Sequence, residues 1–279
     1  MSFWKQPPRQ PELQAGEIHL WRLDLDPHMS ELHALEQTLG PEERARANRF
    51  VNVRERSRYI VSHGVLRTLL AQYLRTEPSG LVFRHGVNGK PELLAGELRF
   101  NMSHSQDLVL YAVTRTGPVG IDVECILPGV DVEVATGFSP RSASRLARLP
   151  LTARRRVFYQ GWTRMEAHAK GRGTGLQSNI DHLDRFLDSQ PGLVFGPDSS
   201  GTDYQWSFHD LHPRKGYLGS LAASREGCRL KYWKWENHCS RTPAGNHREA
   251  CSTMGPEFGA DLYVLARSTL NRDSGVNTV

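Results

Sequence analysis

The run Val119-Gly120-Ile121-Asp122-Val123-Glu124 alternates apolar side chains with small or acidic ones. A period of two marks a strand with one buried face. Val119, Ile121 and Val123 then point into a core, and Asp122 and Glu124 stand side by side on the other face. Two carboxylates so placed repel each other unless a cation or a proton sits between them. Hard oxygen ligands of this kind suit Mg²⁺, which keeps several waters and usually binds substrate phosphates as well. A solvated strand face with two acids has the same spelling, so the pair needs further signals before it means metal.

Such signals lie on both sides. Downstream, Trp162-Thr163-Arg164-Met165-Glu166-Ala167-His168-Ala169-Lys170 has helical spacing. Trp162, Met165 and Ala169 share one face, and Glu166 and Lys170 stand four apart on another. Glu166 is placed to give a third metal carboxylate and Lys170 to reach a phosphate; an ordinary exposed ion pair is the plain alternative. Upstream, Phe100-Asn101-Met102-Ser103-His104-Ser105 closes an apolar strand with polar residues. Ser103 and His104 point to opposite faces of a strand and lack an orienting acid, so they do not make a hydrolase pair. As hydrogen-bond donors to a phosphate they make better sense, against the plain reading of a strand-end turn. Gly89-Lys90-Pro91 is a turn with one lysine, but it lacks P-loop spacing and no Ser or Thr follows. The glycines at 171, 173 and 175 follow a helix, whereas phosphate cradles precede one.

The remaining pattern is mixed. Residues 17–25 alternate as a strand, and 41–49 open a helix with Pro-Glu-Glu, acids that favour its N-terminal dipole. Residues 54–74 read as a longer helix. Short strands are expected at 98–102 and 108–113, with Thr116-Gly117-Pro118 as a hairpin turn into 119–124. Ser139-Pro140 starts a second helical region, with Thr152 as the cap of a helix reaching about Lys170. Strands return at 193–195, 204–208, 217–222 and 228–235. This is an α+β protein, divided as a loose leader (1–16), an N-terminal lobe (17–115), a C-terminal lobe bearing the metal carboxylates (116–236) and a polar tail (237–279). No internal repeat is evident.

With 279 residues, the chain can bury a sizeable core. No apolar run approaches the ~20 residues that span a bilayer, and no signal peptide is read at the N-terminus, so a cytoplasmic protein without membrane contact is expected. Cys125, Cys228, Cys239 and Cys251 are too scattered for a disulfide framework. A net charge of +5, with local basicity at 44–58 and 141–156, points to a polyanionic partner. Nucleic acid is disfavoured, because few aromatics interleave with the arginines. Cys239, His247 and Cys251 in the tail, with His238, come roughly at zinc-ligand spacing but match no standard finger.

Taken in order, Gly-Lys-Pro, Phe-Asn-x-Ser-His-Ser, Gly-Ile-Asp-Val-Glu, Trp-Thr-x-x-Glu-Ala-x-x-Lys and Gly-x-Gly-Leu resemble the Sfp-type 4′-phosphopantetheinyl transferases. Pro41 to Phe50, Arg58 to Arg67 and Tyr217 to Trp235 are also similar to that family, so the resemblance spans roughly residues 18–236. It implies a pseudo-twofold pair of α+β lobes with coenzyme A and Mg²⁺ in the cleft between them. Phosphopantetheine would pass from coenzyme A to a serine of an apo acyl or peptidyl carrier protein, releasing 3′,5′-ADP. Carriers of this kind are acidic helical bundles, and a monomeric enzyme is expected. By motif, Asp122, Glu124 and Glu166 would be the metal carboxylates, with Asp122, Glu166 and Lys170 catalytic. Arg46, Lys90, Ser103, His104, Asp122 and Lys170 would hold the cofactor, Arg46 at its 3′-phosphate. Two positions depart from the family: Met165 stands where a lysine is usual, and Glu43 where a basic residue is usual. They motivate the alternative of a weakly catalytic member that binds coenzyme A or a carrier without efficient turnover. The same reading expects Met165→Lys to leave carrier modification equal or faster.

Overall fold

Alternating and helical runs of the sequence become elements at nearly the expected places. The computed structural model describes residues 4–25, 31–86, 88–126, 140–175, 183–187, 194–195, 205–224 and 227–236. The tail 237–279, with its candidate zinc ligands, and the starts of the strands expected at 193 and 204 lie outside them. In chain order the elements are β1 (Glu17–Asp24), α1 (Leu32–Thr38), α2 (Pro41–Ala47), α3 (Val53–Leu74), β2 (Phe83–His85), β3 (Pro91–Leu93), β4 (Arg99–Ser105) and β5 (Leu108–Thr114). They continue with β6 (Val119–Cys125), α4 (Pro140–Ala147), α5 (Leu151–Arg172), α6 (Leu183–Leu187), β7 (Val194–Phe195), β8 (Trp206–Leu211), β9 (Tyr217–Ala223) and β10 (Arg229–Lys234). Helix α1 has no counterpart in the sequence reading. Among the described residues no helix is long and apolar enough to cross a membrane.

Two four-stranded sheets form, ordered β10-β1-β5-β4 and β6-β9-β8-β7. The apolar residues of each strand separate by face. Trp21, Leu23, Val109, Tyr111 and Val113 pack with α3, while Ile18, Leu20, Leu110 and Ala112 meet Val119, Ile121, Val123 and Leu221 of the second sheet. The second sheet's other face, with Phe208, Leu218 and Ala222, packs against Phe158, Trp162 and Met165 of α5. The layers are therefore helix, sheet, sheet, helix, with each 22-residue helix on an outer side. Strand β5 (LVLYAVT) is buried on both faces, which explains its continuous apolar spelling.

The turn at Thr116-Gly117-Pro118 is not a hairpin. β5 ends in one sheet and β6 begins in the other, where it pairs antiparallel with β9. Gly117 has φ +72°, and a Cβ there would meet Ser224 Oγ at 2.3 Å. The local sequence announced a reversal; which strand β6 would join was decided by its partner β9. Similarly, β10 runs parallel to β1, so residues that the sequence groups with the second half complete the first sheet. Helix α5 is capped by Pro150 rather than Thr152, and ends at Gly173 with φ +69°.

Candidate active site

Strands β4 and β6 are edge strands of their respective sheets, and the site lies where these edges meet. An edge strand leaves every second N–H without a ladder partner. On β6 those donors are taken up by side chains of β4. Asn101 Oδ1 accepts from Ile121 N (2.8 Å), Ser103 Oγ from Val123 N (3.3 Å) and Ser105 Oγ from Cys125 N (3.0 Å). The two serines then turn their hydroxyl protons to the acids: Ser103 donates to Asp122 Oδ1 at 2.8 Å and Ser105 to Glu124 Oε2 at 2.9 Å. The period-two spacing of Asn101, Ser103 and Ser105 matches that of Asp122 and Glu124, so one short polar strand end joins the sheets and orients both carboxylates.

Helix α5 supplies the remaining charge. It approaches β6 through glycine: a Cβ on Gly120 would lie 1.9 Å from Ala167 O and 2.3 Å from Gly171 N. That close packing sets Lys170 Nζ 2.6 Å from Asp122 Oδ1 and 3.1 Å from Ser103 Oγ. Burial works against the Lys170 charge, but Asp122, Glu166 and Glu124 outweigh it and its pKa rises. Asp122 is buried, which raises its pKa, and Lys170 and Ser103 oppose that rise. Glu124 is pushed up to about 8, by burial first and then by Asp122. Its neighbours include Glu166, itself buried, so the structure brings Asp122, Glu124, Glu166 and Lys170 together.

A cation suits this donor set. Asp122 Oδ2 is buried with no hydrogen-bond partner, and the mutual repulsion of the acids is what an added positive charge relieves. Among the described residues, no three acidic, His or Cys side chains form a ready-made cage. Mg²⁺ does not demand one, since it is usually held by one or two carboxylates with substrate phosphates and water completing its shell.

The other expected residues take separate places. His104 is exposed on the opposite face of β4. It lies with Arg46 near His63, and both charges help burial push His63 down to about 3. His63 stacks on Tyr59 with ring centroids 3.9 Å apart, and the Arg46 guanidinium lies 5.5 Å from the Tyr59 centroid. Lys90 donates to Val119 O (3.2 Å) and Gly171 O (3.0 Å), tying the β2–β3 turn to the start of β6 and the end of α5. Ser103 has one hydroxyl proton and gives it to Asp122, so in this structure it orients the carboxylate. Asn101 and His63 were not singled out individually by sequence; the N–H-capping role of Asn101 needs the second sheet to be seen.

Both departures from the family pattern acquire structural partners. Glu43 caps α2 by accepting from Gly40 N (2.8 Å) and pairs with Arg67 Nε at 2.5 Å. Met165 is fully buried in the core with Trp162 and Phe158. Its surroundings add a stability cost to Met165→Lys, because an ammonium there loses its hydration among apolar side chains. We expect this variant to melt lower than wild type by several degrees, a loss of about 1–3 kcal/mol; a melting temperature equal to wild type would contradict it.

Glu124 gives a pH prediction. Its folded pKa, about 8, lies above the ordinary 4.5, so the folded chain keeps a proton that the unfolded chain releases. Stability in chelator should therefore fall as pH rises from about 4.5 to about 8. Glu124 retains some solvent contact, which makes the slope shallower than for a wholly enclosed acid. Thermal melts across this range should show the decline, and Glu124→Gln should flatten it.

Two family models match the chain: "4′-phosphopantetheinyl transferase, N-terminal" over residues 23–116 and "4′-phosphopantetheinyl transferase superfamily" over residues 118–222. The 4′-phosphopantetheinyl transferase HetI of Nostoc sp. is 34% identical over 238 residues, covering 83% of this chain and 98% of that protein. A phosphopantetheinyl transferase of Thraustochytrium sp. is 26% identical, over 72% of this chain and 74% of its own. The 4′-phosphopantetheinyl transferase of Bacillus subtilis is 30% identical, over 51% and 64% respectively.

Proposed function

The chain belongs to the 4′-phosphopantetheinyl transferase superfamily, and from that premise we propose that it transfers the phosphopantetheine of coenzyme A to a serine of an apo carrier protein, in the presence of Mg²⁺. The carrier serine oxygen forms a bond to the phosphorus that bears the pantetheine. The bond from that phosphorus to the bridging oxygen breaks, and 3′,5′-ADP leaves with the electron pair. The observation that carries the reading is Asp122: a buried carboxylate fixed by Ser103 and Lys170, with its second oxygen still open.

Asp122, Glu124 and Glu166 would hold the cation, which when bound neutralises charge on the pyrophosphate oxygens. Lys170 stays protonated, and an ammonium has three donors. Two go to Asp122 and Ser103, and the third serves the leaving phosphate, where a fixed positive charge lowers the barrier. Glu166, buried beside them, accepts the proton of the carrier serine. Arg46 and His104, on the other side of β4, take the 3′-phosphate end, and Lys90 and Ser103 line the path between. The weakly catalytic alternative rested on Glu43 and Met165, and their structural roles weaken its motive.

Incubation with coenzyme A, MgCl₂ and an apo carrier, followed by intact mass measurement of the carrier, tests the proposal. A gain of one phosphopantetheine is expected. Absence of that gain across several acyl and peptidyl carriers would overturn it.

A further inference from the structure

Between Val134 and Met165 the chain contains no Asp or Glu, yet residues 140–156 carry six arginines. These fall on α4 and the first turns of α5. One of them is structural: Arg154 donates to Ala147 O (2.9 Å) and Leu149 O (3.2 Å), clamping the corner between the helices. Arg141, Arg145, Arg148 and Arg156 are exposed around that corner. Leu151 stands among them, 59% exposed although its helix buries Phe158 and Trp162 about two and three turns further on. Asp184 lies 3.8 Å from Arg141, whose side chain is 83% exposed, a contact worth little in water.

An apolar side chain ringed by like charges does nothing for the isolated fold, because the charges repel and the leucine stays wet. Both features pay off together when an acidic surface with an apolar patch covers them. Single-stranded nucleic acid fits poorly, since it needs exposed rings to stack on, and Phe158, Tyr159 and Trp162 are buried. The position is also suitable. Leu151 and Glu166 lie on one helix, fifteen residues apart, or about 22 Å at 1.5 Å per residue. A small helical domain seated on the corner spans that distance to the acids.

We propose that the α4–α5 corner is the docking surface for the acidic protein substrate, with Leu151 as its apolar anchor and Arg141, Arg145 and Arg148 as its charged rim. This rests on the transferase reading and adds to it where the protein substrate sits. Docking by charge acts on encounter, so it belongs in the KM for the protein and its salt dependence.

The test compares wild type, Leu151→Asp and Arg141→Glu/Arg148→Glu, titrating an acidic apo carrier at saturating coenzyme A and then coenzyme A at saturating carrier. Both variants should raise the KM for carrier at least tenfold and leave kcat and the KM for coenzyme A within twofold. The wild-type kcat/KM should fall with added NaCl, and the charge-reversed variant should lose most of that slope. Unchanged melting temperatures separate docking from misfolding, and Leu151→Ala gives a milder second reading should Leu151→Asp prove unstable. Wild type that transfers yet shares its carrier KM with the variants overturns the docking surface alone. Wild type that modifies no carrier overturns the transferase reading and this inference with it. Loss of duplex DNA binding in the variants, with carrier KM intact, would also overturn it in favour of a nucleic-acid face.

Discussion

Asp122→Ala is expected to lower carrier modification by about 10²–10³-fold, the range seen when a single preorganised electrostatic group is removed from a reacting centre. The carboxylate has three roles at once. It accepts from Ser103, it fixes Lys170 at 2.6 Å, and its buried Oδ2, without a hydrogen-bond partner, is the oxygen the proposed cation would use. Alanine removes all three, and the Lys170 ammonium then turns to Glu124 and Glu166, which already lie within its field. Asp122→Asn separates charge from shape. The amide oxygen still accepts from Ser103 and Lys170, so the fold should hold, but the negative charge is gone and transfer should fall almost as far. Activity within tenfold of wild type in Asp122→Asn would show that the charge of Asp122 is not used.

Gly120→Ala is expected to have the largest effect on stability, about 3 kcal/mol or more, and to abolish transfer as well. The added Cβ would fall 1.9 Å from Ala167 O, 2.3 Å from Gly171 N and 2.8 Å from Gly171 Cα. All three are backbone atoms of α5 and none can swing aside. Either α5 moves away from β6, taking Glu166 and Lys170 from Asp122, or the chain fails to fold. Gly89→Ala is the matched comparison. Gly89 has φ +77° with nothing within 4 Å of its Cβ position, so it should cost only about 1 kcal/mol of backbone strain. Chemical denaturation of both variants checks the contrast; equal losses would refute the close approach as the cause.

That contrast shows how much of the molecule was legible in advance. Both glycines precede or interrupt a recognisable motif, and their letters do not differ. The strand at 119–125, the long helices and the burial of Val119, Ile121 and Val123 follow from periodicity, because alternation and 3.6-residue spacing are local properties of the backbone. The same locality explains the errors. Thr116-Gly117-Pro118 has the chemistry of a turn, but strand pairing is settled by partners about a hundred residues away, and β6 joined β9. Glu43 and Met165 looked like substitutions in a binding site, since nothing nearby in sequence reveals Arg67 or the core around Trp162.

By itself, then, the sequence determined the chemistry present in this transferase: which strand carries adjacent acids, which helix carries a glutamate and a lysine four apart, and which strand end is polar. Tertiary structure alone decided that these form one site. Two sheet edges had to meet for the N–H groups of β6 to find Asn101, Ser103 and Ser105, and two glycines had to let a helix rest on a strand. Both are contacts between surfaces formed separately along the chain, and their energy lies in close packing and in satisfying buried donors. No local pattern records such contacts. That is why Asp122 could be picked out from alternation, while its hold on Lys170 became visible only in the folded protein.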